Sequence, residues 1–484
     1  MTNEKKSLAI AIVLSIFASI LLSASLLVFL GWNALSIANL LAAAVTSSYL
    51  MILLKRRDSY LRRDSRRIQI PFILFVILVI PAITTLSVLI IYSYELYLVI
   101  ISFLMPLTFI NVMFYLPIAL YDKFSTRDMA NNRVLTSLPI ISIIVPAYNE
   151  AANIKHTLES IVHSDYPAKE IIVVDDGSKD LTYAIASQYM QTCKDCRIRV
   201  MRKKNGGKAS AMNYGLRFAA GEIVVIVDAD SLIEKKTLRD IAKEFQRTDV
   251  VGVAGTVKVL NPVSALAKCT ALECVVVPNL QRPAFSRLGI VMIVPGALGA
   301  FRKKSLMQCG LYDRDTITED FDLTIKVAKG GGKIVAIPAI TYTECPTTVK
   351  GFYKQRIRWY GGVLQGLLKH TDAMTGGRYG MLNRLGYPIT FLMFVIPPFL
   401  DIVVIAIIAI TIIGGLSTSY MVAASLFFAF QIVLCAIAIF LDKNRPWKLL
   451  LYVPFMLFVY KQINNFVVIK SIFDVMFRKN RLKW

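Results

Sequence analysis

The sequence predicts an α/β domain, built on a mostly parallel sheet, that is inserted between two groups of membrane-spanning helices. The chain of 484 residues is 56% hydrophobic and 18% charged, whereas soluble domains are about 25% charged. Several apolar windows reach the roughly 20 residues that a spanning helix needs. Between these windows, residues 121–385 form a polar block in which strand-like and helix-like segments alternate. This alternation is typical of a parallel sheet covered by helices.

The apolar windows predict a multi-pass protein of the cell membrane. The basic run at 55–67, KRRDSYLRRDSRR, joins two of the N-terminal windows, and short basic loops stay cytoplasmic. Two crossings later the chain returns to the same side, so the polar block is predicted to be cytoplasmic. Because apolar windows bracket the basic run, we do not expect nucleic acid to bind there. The windows are about 8–30, 35–54, 68–92, 96–120, 387–413, 418–441 and 449–473.

The C-terminal group of windows is less regular. Three crossings would leave the basic tail at 478–484 outside, against the positive-inside tendency. Either one window does not span or the tail breaks this rule. The pair Pro397–Pro398 marks a point where a helix could break. A polar cluster in the last window either lines a sugar channel or packs helices together; it consists of Lys461, Gln462, Asn464 and Asn465.

The polar block contains the pattern of a central α/β domain with its ligand site at one edge. Buried strands are predicted within 140–150, 170–178, 197–202 and 222–230, with helices between them. Ligands of such sheets bind beyond the carboxyl ends of the strands. The predicted division of the chain is 1–121 for the N-terminal membrane region, 122–138 for a linker, 139–346 for the central domain, 347–385 for interfacial helices and 386–484 for the C-terminal membrane region.

Two acidic clusters follow the second and fourth predicted strands. Asp175 and Asp176 belong to a DDGS sequence that by itself is a common turn. Asp228 and Asp230 form an i, i+2 pair at the end of the fourth predicted strand. Carboxylates gathered at neighbouring strand ends repel one another unless a cation is present. Mg²⁺ and Mn²⁺ prefer a few carboxylates together with phosphate oxygens and water, so the clusters predict a site for one of these ions.

Two further motifs allow a structural and a functional interpretation. Lys208 stands at a helix N-terminus after two glycines, which is either an anion site or a flexible turn; the P-loop pattern is not met. Thr318, Glu319 and Asp320 begin a helix, and capping explains the two acids without a catalytic role. The catalytic alternative needs a carboxylate beside a substrate hydroxyl.

The motif 355–359, QRIRW, stands just before the C-terminal apolar windows. Its residues Gln355, Arg358 and Trp359 share one helix face at i, i+3, i+4 spacing. Arginine suits a diphosphate and tryptophan suits a sugar ring. The alternative is an amphipathic helix at the membrane surface.

The cysteines predict no disulfide framework. Six of the seven lie in the block placed in the cytoplasm, where thiols stay reduced unless the source is a hyperthermophile. The pair Cys193 and Cys196 has no second pair or histidine at zinc spacing, so it is interpreted as a surface turn.

Taken in order, these motifs resemble the processive family-2 glycosyltransferases, the cellulose, chitooligosaccharide, hyaluronan and poly-N-acetylglucosamine synthases. The resemblance covers about residues 140–365. The TED and PGALGAFR motifs are most similar to the poly-N-acetylglucosamine and chitooligosaccharide branch, whereas four N-terminal windows are nearer the cellulose synthase layout. The matching segments are PAYNE (146–150), VDDGS (174–178), GKASAMNYG (207–215), DAD (228–230), PGALGAFR (295–302), TED (318–320), ECP (344–346) and QRIRW (355–359).

The resemblance implies a Rossmann-like GT-A fold and an inverting transferase. The donor would be a nucleotide sugar such as UDP-N-acetylglucosamine or UDP-glucose, and the acceptor a growing β-linked polysaccharide that is exported across the membrane, with room for an accessory export subunit. The alternatives are a transferase that adds one sugar to a polyprenyl phosphate or other lipid, and a transporter that only binds nucleotide.

The resemblance also implies roles for individual residues. Asp320 would be the general base, with Glu319 beside it, and Asp230 would hold Mg²⁺ or Mn²⁺. The nucleotide-sugar site would consist of Tyr148, Glu150, Asp176, Lys208 and Asp228. The site for the acceptor and the diphosphate would consist of Gln355, Arg358, Trp359 and Gly296.

Overall fold

A computed structural model describes residues 115–116, 118–120, 135, 137–191, 196–375, 377–414 and 418–477. The predicted N-terminal windows and the basic tail therefore lie outside the described residues, apart from a few positions near residue 118. The chain divides into two compact units. The first consists of Met1–Asn132, Val275–Leu288 and Gly376–Ile469, and the second of Arg133–Cys274, Gly289–Thr375 and Lys470–Trp484.

The second unit is built on an eight-stranded sheet with the order β3-β2-β1-β4-β7-β6-β8-β5. Its first half, β3-β2-β1-β4, is parallel throughout, as predicted, and β6 also pairs with β8 in parallel. The pairs β4–β7, β6–β7 and β5–β8 are antiparallel. The strands are β1 Ile141–Ala147, β2 Lys169–Asp175, β3 Arg197–Arg202, β4 Ile223–Ile226, β5 Ser231–Ile233, β6 Val250–Val259, β7 Gly299–Arg302 and β8 Lys333–Thr343.

Helices cover both faces of this sheet because its central strands are apolar on both sides. Every residue of β1 and of β2 is buried. On one face, Ile143 and Val173 join a core with Leu158 of the first helix. On the other face Gly215 approaches so closely that a Cβ would lie 2.9 Å from Ile144 Cγ2. The predicted two-sided α/β architecture is therefore confirmed.

The helices of the second unit alternate with the strands in its first half. Those that precede the site are α1 Ile154–Val162, α2 Thr182–Ser187, α3 Lys208–Leu216 and α4 Thr237–Phe245. Those that follow are α5 Ala265–Val276, whose last residues enter the first unit, then α7 Lys303–Cys309, α8 Glu319–Lys329, α9 Val349–Lys369 and α10 Asp372–Thr375. Helix α9 carries the QRIRW motif.

The C-terminal windows coincide only in part with single helices. The first unit contains α6 Arg282–Leu288, α11 Tyr387–Gly414 and α12 Thr418–Leu441. The window 449–473 is divided into a 3₁₀ turn, Trp447–Tyr452, then α13 Val453–Phe455, a π-helical segment and α14 Lys461–Phe477. Within the part of the chain that the structure describes, no helix combines the length and the hydropathy needed to cross a membrane.

The polar cluster of the last window is engaged with a neighbouring helix of the first unit. Lys461 Nζ lies 3.0 Å from Asp401 Oδ1, and Asn465 Nδ2 donates to Asp401 Oδ2 at 2.6 Å. Asn465 also donates to Gln462 Oε1 at 3.2 Å. Because Lys461, Gln462 and Asn465 have these partners, the geometry favours the helix-packing interpretation for them. Asn464 Oδ1 is buried without a hydrogen-bond partner among the described residues.

The expectation for the cysteines is wrong at one position. Cys196 is disulfide-bonded, although the sequence context predicted a reduced thiol. The prediction rested on the expected cellular compartment, and the compartment does not determine whether two particular cysteines lie close enough to form a bond. Cys193 lies outside the described residues. The free thiols among the described residues are Cys269, Cys274, Cys309, Cys345 and Cys435.

Candidate active site

Three predicted residues from distant parts of the sequence meet at the carboxyl edge of the sheet. Lys208, the first residue of α3, places its Nζ 2.6 Å from Asp228 Oδ1. The same Nζ lies 3.3 Å from Oε1 of Glu319, the first residue of α8. Asp228 follows β4 and precedes the short strand β5. The end of a parallel strand and two helix N-termini thus form a polar centre of mixed charge.

Asp176 organises the loop that leads into α3. Its carboxylate accepts hydrogen bonds from the backbone N–H groups of Gly206 and Gly207, and from Lys203 Nζ at 2.6 Å. Gly207 has a φ of +85°, in the left-handed region that favours glycine. The predicted DDGS turn is also present, since Ser178 N donates to Asp175 Oδ1. Asp176 is nearly fully buried, so in this structure it shapes the loop beside the predicted nucleotide site.

Lys208 supplies a stable positive charge to the centre. Burial by itself would lower the pKa of its ammonium, but Asp228, Glu319 and Asp320 hold that pKa above its usual value. The side chains of Lys208 and Asp228 are both partly exposed. The ammonium is therefore charged and accessible at neutral pH, as an anion site requires. The interpretation of the glycine-lysine segment as only a flexible turn is not supported, because both its glycines and its lysine have defined partners.

Asp320 has the proton affinity of a general base. Burial and the neighbouring charge of Glu319 raise the pKa of Asp320 to about 6, although Lys208 and two backbone hydrogen bonds oppose this rise. Those bonds come from Phe321 N to Oδ1 at 2.8 Å and from Gly296 N to Oδ2 at 3.3 Å. A base with a pKa near the working pH is well matched to proton transfer.

Gly296 lies between Lys208 and Asp320, and its lack of a side chain leaves room for the lysine ammonium. A Cβ at this position would stand 2.8 Å from Lys208 Nζ and 3.7 Å from Asp228 Oδ2. Any larger residue would push the ammonium away from its carboxylates. A larger residue at position 296 would therefore disturb the Lys208 pairs.

Thr318 does not cap helix α8 through its side chain. It occupies the N-cap position as predicted, but its hydroxyl makes no cap hydrogen bond. That hydroxyl is buried and has no hydrogen-bond partner among the described residues. Helix α9 presses against it, since a Cβ on Gly362 would be 2.6 Å from Thr318 Oγ1. Capping by Thr318 therefore does not account for the TED motif.

Asp230 and Glu150 belong to the same acidic neighbourhood as Asp228. Burial, and then the charge of Asp228, raise the pKa of Asp230. Burial also raises the pKa of Glu150, with further contributions from Asp230, Asp228 and Asp180. Ser231 Oγ donates to Asp230 Oδ1 at 3.1 Å. Carboxylates that are held together at raised proton affinity fit a divalent cation, which would relieve their repulsion.

The PAYNE segment at the end of β1 is tied to the DDGS turn. Asn149 N donates to Ser178 Oγ at 2.9 Å, and Glu150 N donates to Thr182 Oγ1 at 2.8 Å. Asn149 adopts a φ of +56°. Between these anchors Tyr148 remains exposed, with 43% of its surface accessible. Its ring is therefore available to a ligand at this edge of the sheet.

The QRIRW motif presents three different environments on α9. Arg358 and Trp359 are exposed, as an acceptor site requires. The side-chain oxygen of Gln355 is buried without a hydrogen-bond partner among the described residues. Arg356, which the spacing argument did not single out, is buried and paired with Glu273.

Comparison with known proteins identifies the family of the domain that contains this site. Residues 142–310 match the family described as Glycosyl transferase family 2. This chain carries a family-2 glycosyltransferase domain. The match includes the strands β1, β2 and β4 and the residues Lys208, Asp228, Asp230 and Gly296. The match supports a glycosyltransferase enzyme, and it confirms family 2 as the family to which the motifs point.

Curated relatives of the glycosyltransferase include poly-beta-1,6-N-acetyl-D-glucosamine synthases. The chain is 32% identical to the Staphylococcus epidermidis enzyme over 231 residues, which are 47% of this chain and 56% of the relative. It is 28% identical to the Staphylococcus aureus (strain COL) enzyme over 256 residues, 52% of this chain and 60% of the relative. The matches thus span little more than half the length of these relatives.

A solved structure with the same fold is a mannosyltransferase from Pyrobaculum calidifontis, in complex with GDP-Man and Mn²⁺. The identity is 22%, the match covers 75% of this chain and 96% of the mannosyltransferase, and the TM-score is 0.51. The likeness at this identity shows the GT-A-like fold of the glycosyltransferase domain.

Two features of the glycosyltransferase domain were missed from the sequence. Tyr312 is buried, and burial together with the charges of Glu319 and Asp320 raises its pKa well above the usual value. Asn213 holds the backbone of Tyr312 by accepting from its N–H at 3.0 Å and donating to its carbonyl at 2.8 Å. The sequence signal for this feature was the aromatic Tyr312 directly before the acidic segment that begins at Asp313.

The second missed feature is an acidic cluster formed by Asp313, Asp315 and Asp322, whose carboxylate oxygens lie within 4.8 Å of one another. Lys369, at the end of α9, places its Nζ 2.7 Å from Asp313, 2.7 Å from Asp315 and 3.0 Å from Asp322. This cluster is separate from the Asp228–Asp230 pair. Lys326 also lies 2.7 Å from Asp313, and His370 lies 2.9 Å from Asp322. Since basic side chains already engage all three carboxylates, we interpret the cluster as a clasp between α8 and α9.

Replacing Lys369 with methionine is expected to lower the free energy of unfolding by about 2 kcal/mol, because the buried Asp322 would lose its ion pair with Lys369 and retain its 2.9 Å contact with His370. The readout is the thermal unfolding midpoint of the purified full chain. Lys243→Met is the matched control, since its 3.8 Å pair with the largely exposed Asp240 contributes little. Equal midpoints for the two variants would contradict the clasp.

Proposed function

We propose that the protein is an inverting, metal-dependent synthase that transfers a sugar from a nucleotide sugar to a growing β-linked polysaccharide. The observation that carries this proposal is the position of Asp320, a base with a pKa of about 6, beside the Lys208–Asp228–Glu319 centre. A base and a charged anion site beside each other are the two requirements for displacing a diphosphate by a hydroxyl group. The poly-N-acetylglucosamine relatives make UDP-N-acetylglucosamine the first donor to consider, ahead of UDP-glucose.

The proposed reaction is a single displacement. Asp320 accepts the proton of the acceptor hydroxyl while that oxygen forms a bond to the anomeric carbon of the donor. The bond from this carbon to the diphosphate oxygen breaks, and the electron pair leaves with the nucleoside diphosphate. Attack opposite the leaving group inverts the configuration, and no nucleophilic carboxylate is required.

Lys208 and the acidic pair have complementary roles in binding the donor. The Lys208 ammonium is charged and accessible, so it offsets the negative charge of a diphosphate. Asp230, with Asp228, would hold Mg²⁺ or Mn²⁺, and the ion when bound would stabilise charge on the leaving diphosphate. Mn²⁺ accompanies GDP-Man in the structurally similar mannosyltransferase. Exposed Tyr148, with Glu150 and the loop shaped by Asp176, would bind the nucleoside.

The acceptor is proposed to bind along α9. Trp359 offers an exposed ring for a sugar face, and Arg358 offers an exposed cation. The buried oxygen of Gln355 has no hydrogen-bond partner among the described residues, so a sugar hydroxyl would satisfy it. Gly296 N donates to Asp320 Oδ2 at 3.3 Å, so Gly296 would line the acceptor side of the base.

The protein is proposed to lie in the cell membrane as a multi-pass protein, with the glycosyltransferase domain in the cytoplasm. This rests on the apolar windows and on the basic run at 55–67, which favours the cytoplasmic side. Synthesis at the membrane would couple elongation to export of the polymer, with or without an accessory subunit.

The test uses the purified full chain in nanodiscs with Mg²⁺ or Mn²⁺. UDP-N-acetylglucosamine, UDP-glucose, UDP-glucuronate and GDP-mannose are supplied separately, and release of nucleoside diphosphate is measured together with product length. Turnover of one donor to a ladder of glycans, lost in Asp320→Asn, is the expected result. A single-sugar product that appears only with polyprenyl phosphate would replace the polymer synthase by a lipid-directed transferase. No turnover with any donor or acceptor would overturn the proposal.

A further inference from the structure

Arg356 is a buried cation in the QRIRW motif, whose residues Arg358 and Trp359 are exposed. Only 2% of its surface is exposed. Its Nη2 lies 2.7 Å from Glu273 Oε2, and its Nη1 lies 3.4 Å from Glu273 Oε1. Glu273 belongs to α5, so this two-point pair connects α9 to a helix 83 residues earlier in the chain. The pair fixes both the position and the plane of the guanidinium group.

The guanidinium group also contacts two aromatic rings of α9. Its central carbon lies 4.9 Å from the ring centroid of Phe352 and 4.8 Å from that of Trp359. Phe352 is buried, whereas 39% of the surface of Trp359 is exposed. An exposed tryptophan would otherwise exchange between rotamers and lose entropy on binding a ligand. Contact with a fixed cation restricts the indole before any ligand arrives.

We propose that the Glu273–Arg356 pair positions the indole of Trp359 so that its accessible surface stacks on a sugar unit of the acceptor glycan. Glu273 and Arg356 are positioning residues in this proposal and do not touch the acceptor themselves. The proposal rests on the proposed function, since it deepens the acceptor role of Trp359. The sugar would present the apolar side of its ring to the indole.

Burial and pairing distinguish Arg356 from Arg358, the second arginine of the motif. A buried guanidinium whose fork is turned toward Glu273 cannot also bind a diphosphate. Arg358 is exposed and free to meet an anion. Lysine cannot replace Arg356 without loss, because an ammonium lacks the planar fork that pairs with a carboxylate while it lies against a ring.

The test is a double-mutant cycle on Arg356→Lys and Trp359→Phe in the full chain. The probe is a short β-linked N-acetylglucosamine oligosaccharide, used with the donor that gives turnover. Each single variant is expected to raise the acceptor KM about fivefold, with the donor KM and the kcat at saturating acceptor unchanged. If Arg356 acts through Trp359, the double variant shows no further rise. Effects that multiply in the double variant would overturn the proposal.

Controls separate positioning from folding. Arg239→Lys, at a surface pair with Asp165, should leave the acceptor KM unchanged. If Arg356→Lys folds poorly, Glu273→Gln, which keeps the shape of the partner, should raise the acceptor KM by the same route. A general loss of folded protein would lower kcat without changing either KM.

A second readout does not depend on turnover. The chain has four tryptophans, so replacing Trp32, Trp447 and Trp484 with phenylalanine leaves the emission of Trp359 alone. Acrylamide quenching of this emission should increase in Arg356→Lys, and unchanged quenching would overturn the positioning role. An unchanged acceptor KM in Trp359→Phe, with turnover intact, would instead remove the acceptor role of Trp359 that the proposed function assigns.

Discussion

Asparagine at position 320 is expected to reduce kcat by about 10²–10⁴-fold, the contribution typical of a positioned general base. The donor KM should change little, because Lys208 contacts Asp228 and Glu319 and does not depend on Asp320 for its position. Asparagine keeps the size of the side chain and an oxygen that can accept from Gly296 N, so the site remains assembled. The measurement is steady-state release of nucleoside diphosphate at saturating donor and acceptor.

The pH profile of the wild type provides an independent check on Asp320. Burial and Glu319 raise its pKa to about 6, so the carboxyl group keeps its proton below that pH and cannot accept another. Activity should therefore rise about tenfold per pH unit below pH 6 and level off above it. Glu319→Gln removes one cause of the raised pKa of Asp320. It should therefore move the acid limb, the part of the profile in which activity rises with pH, to lower pH.

Asp315→Asn is the matched control for both measurements. Asp315 is an exposed partner of Lys369, outside the Lys208 centre. Its replacement should leave kcat and the acid limb unchanged. Asp320 would lose its assignment as the base if Asp320→Asn retained wild-type kcat, or if the acid limb persisted in the residual activity of that variant.

The residues at the carboxyl edge of the sheet could be predicted because each acidic cluster directly follows its own strand in the sequence. Each acidic cluster follows an apolar run, and parallel strands that run side by side bring their ends together. The order β2-β1-β4 places the PAYNE, DDGS and DAD segments at adjacent strand ends. Residues as distant as Asp176 and Asp228 could therefore be assigned to one site before the structure was known.

The antiparallel half of the sheet could not be predicted in the same way. Strand β7 pairs with β4 and β6, and β5 pairs with the later strand β8, so the pairing order departs from the chain order. No hairpin turn or repeated spacing in the sequence indicates such crossovers. The run DAD was also predicted to end a strand, whereas β4 stops at Ile226 and the acids lie in the turn before β5.

Contacts between two side chains that are far apart in the sequence could not be predicted from the sequence either. The helical spacing of QRIRW predicted a polar face, but the burial of Arg356 depends on Glu273 in α5. The clasp at Lys369 depends in the same way on three acids that precede it by 47 residues or more. A helical pattern reports which side chains share a face, whereas only the packed structure reports what that face meets.

Asparagine at position 230 is expected to reduce turnover by about 10²–10³-fold at a metal concentration that saturates the wild type. Burial and the charge of Asp228 raise the pKa of Asp230, so a proton and a divalent cation compete for the same carboxylate. Turnover should accordingly stop with EDTA and return with Mn²⁺ or Mg²⁺. The metal concentration needed for half-maximal rate should increase as the pH falls.

The variant Lys208→Met distinguishes the binding of the metal ion from the binding of the donor at this site. The Lys208 ammonium pairs with Asp228 at 2.6 Å, so its removal leaves the acidic pair with less compensating charge. Mn²⁺ measured by calorimetry without donor should therefore bind more tightly to Lys208→Met than to the wild type, whereas the donor KM should rise about tenfold because a diphosphate loses its cation. Asp315→Asn should leave both quantities unchanged. Turnover that survives EDTA, together with wild-type activity in Asp230→Asn, would show that these carboxylates serve the reaction without a metal ion.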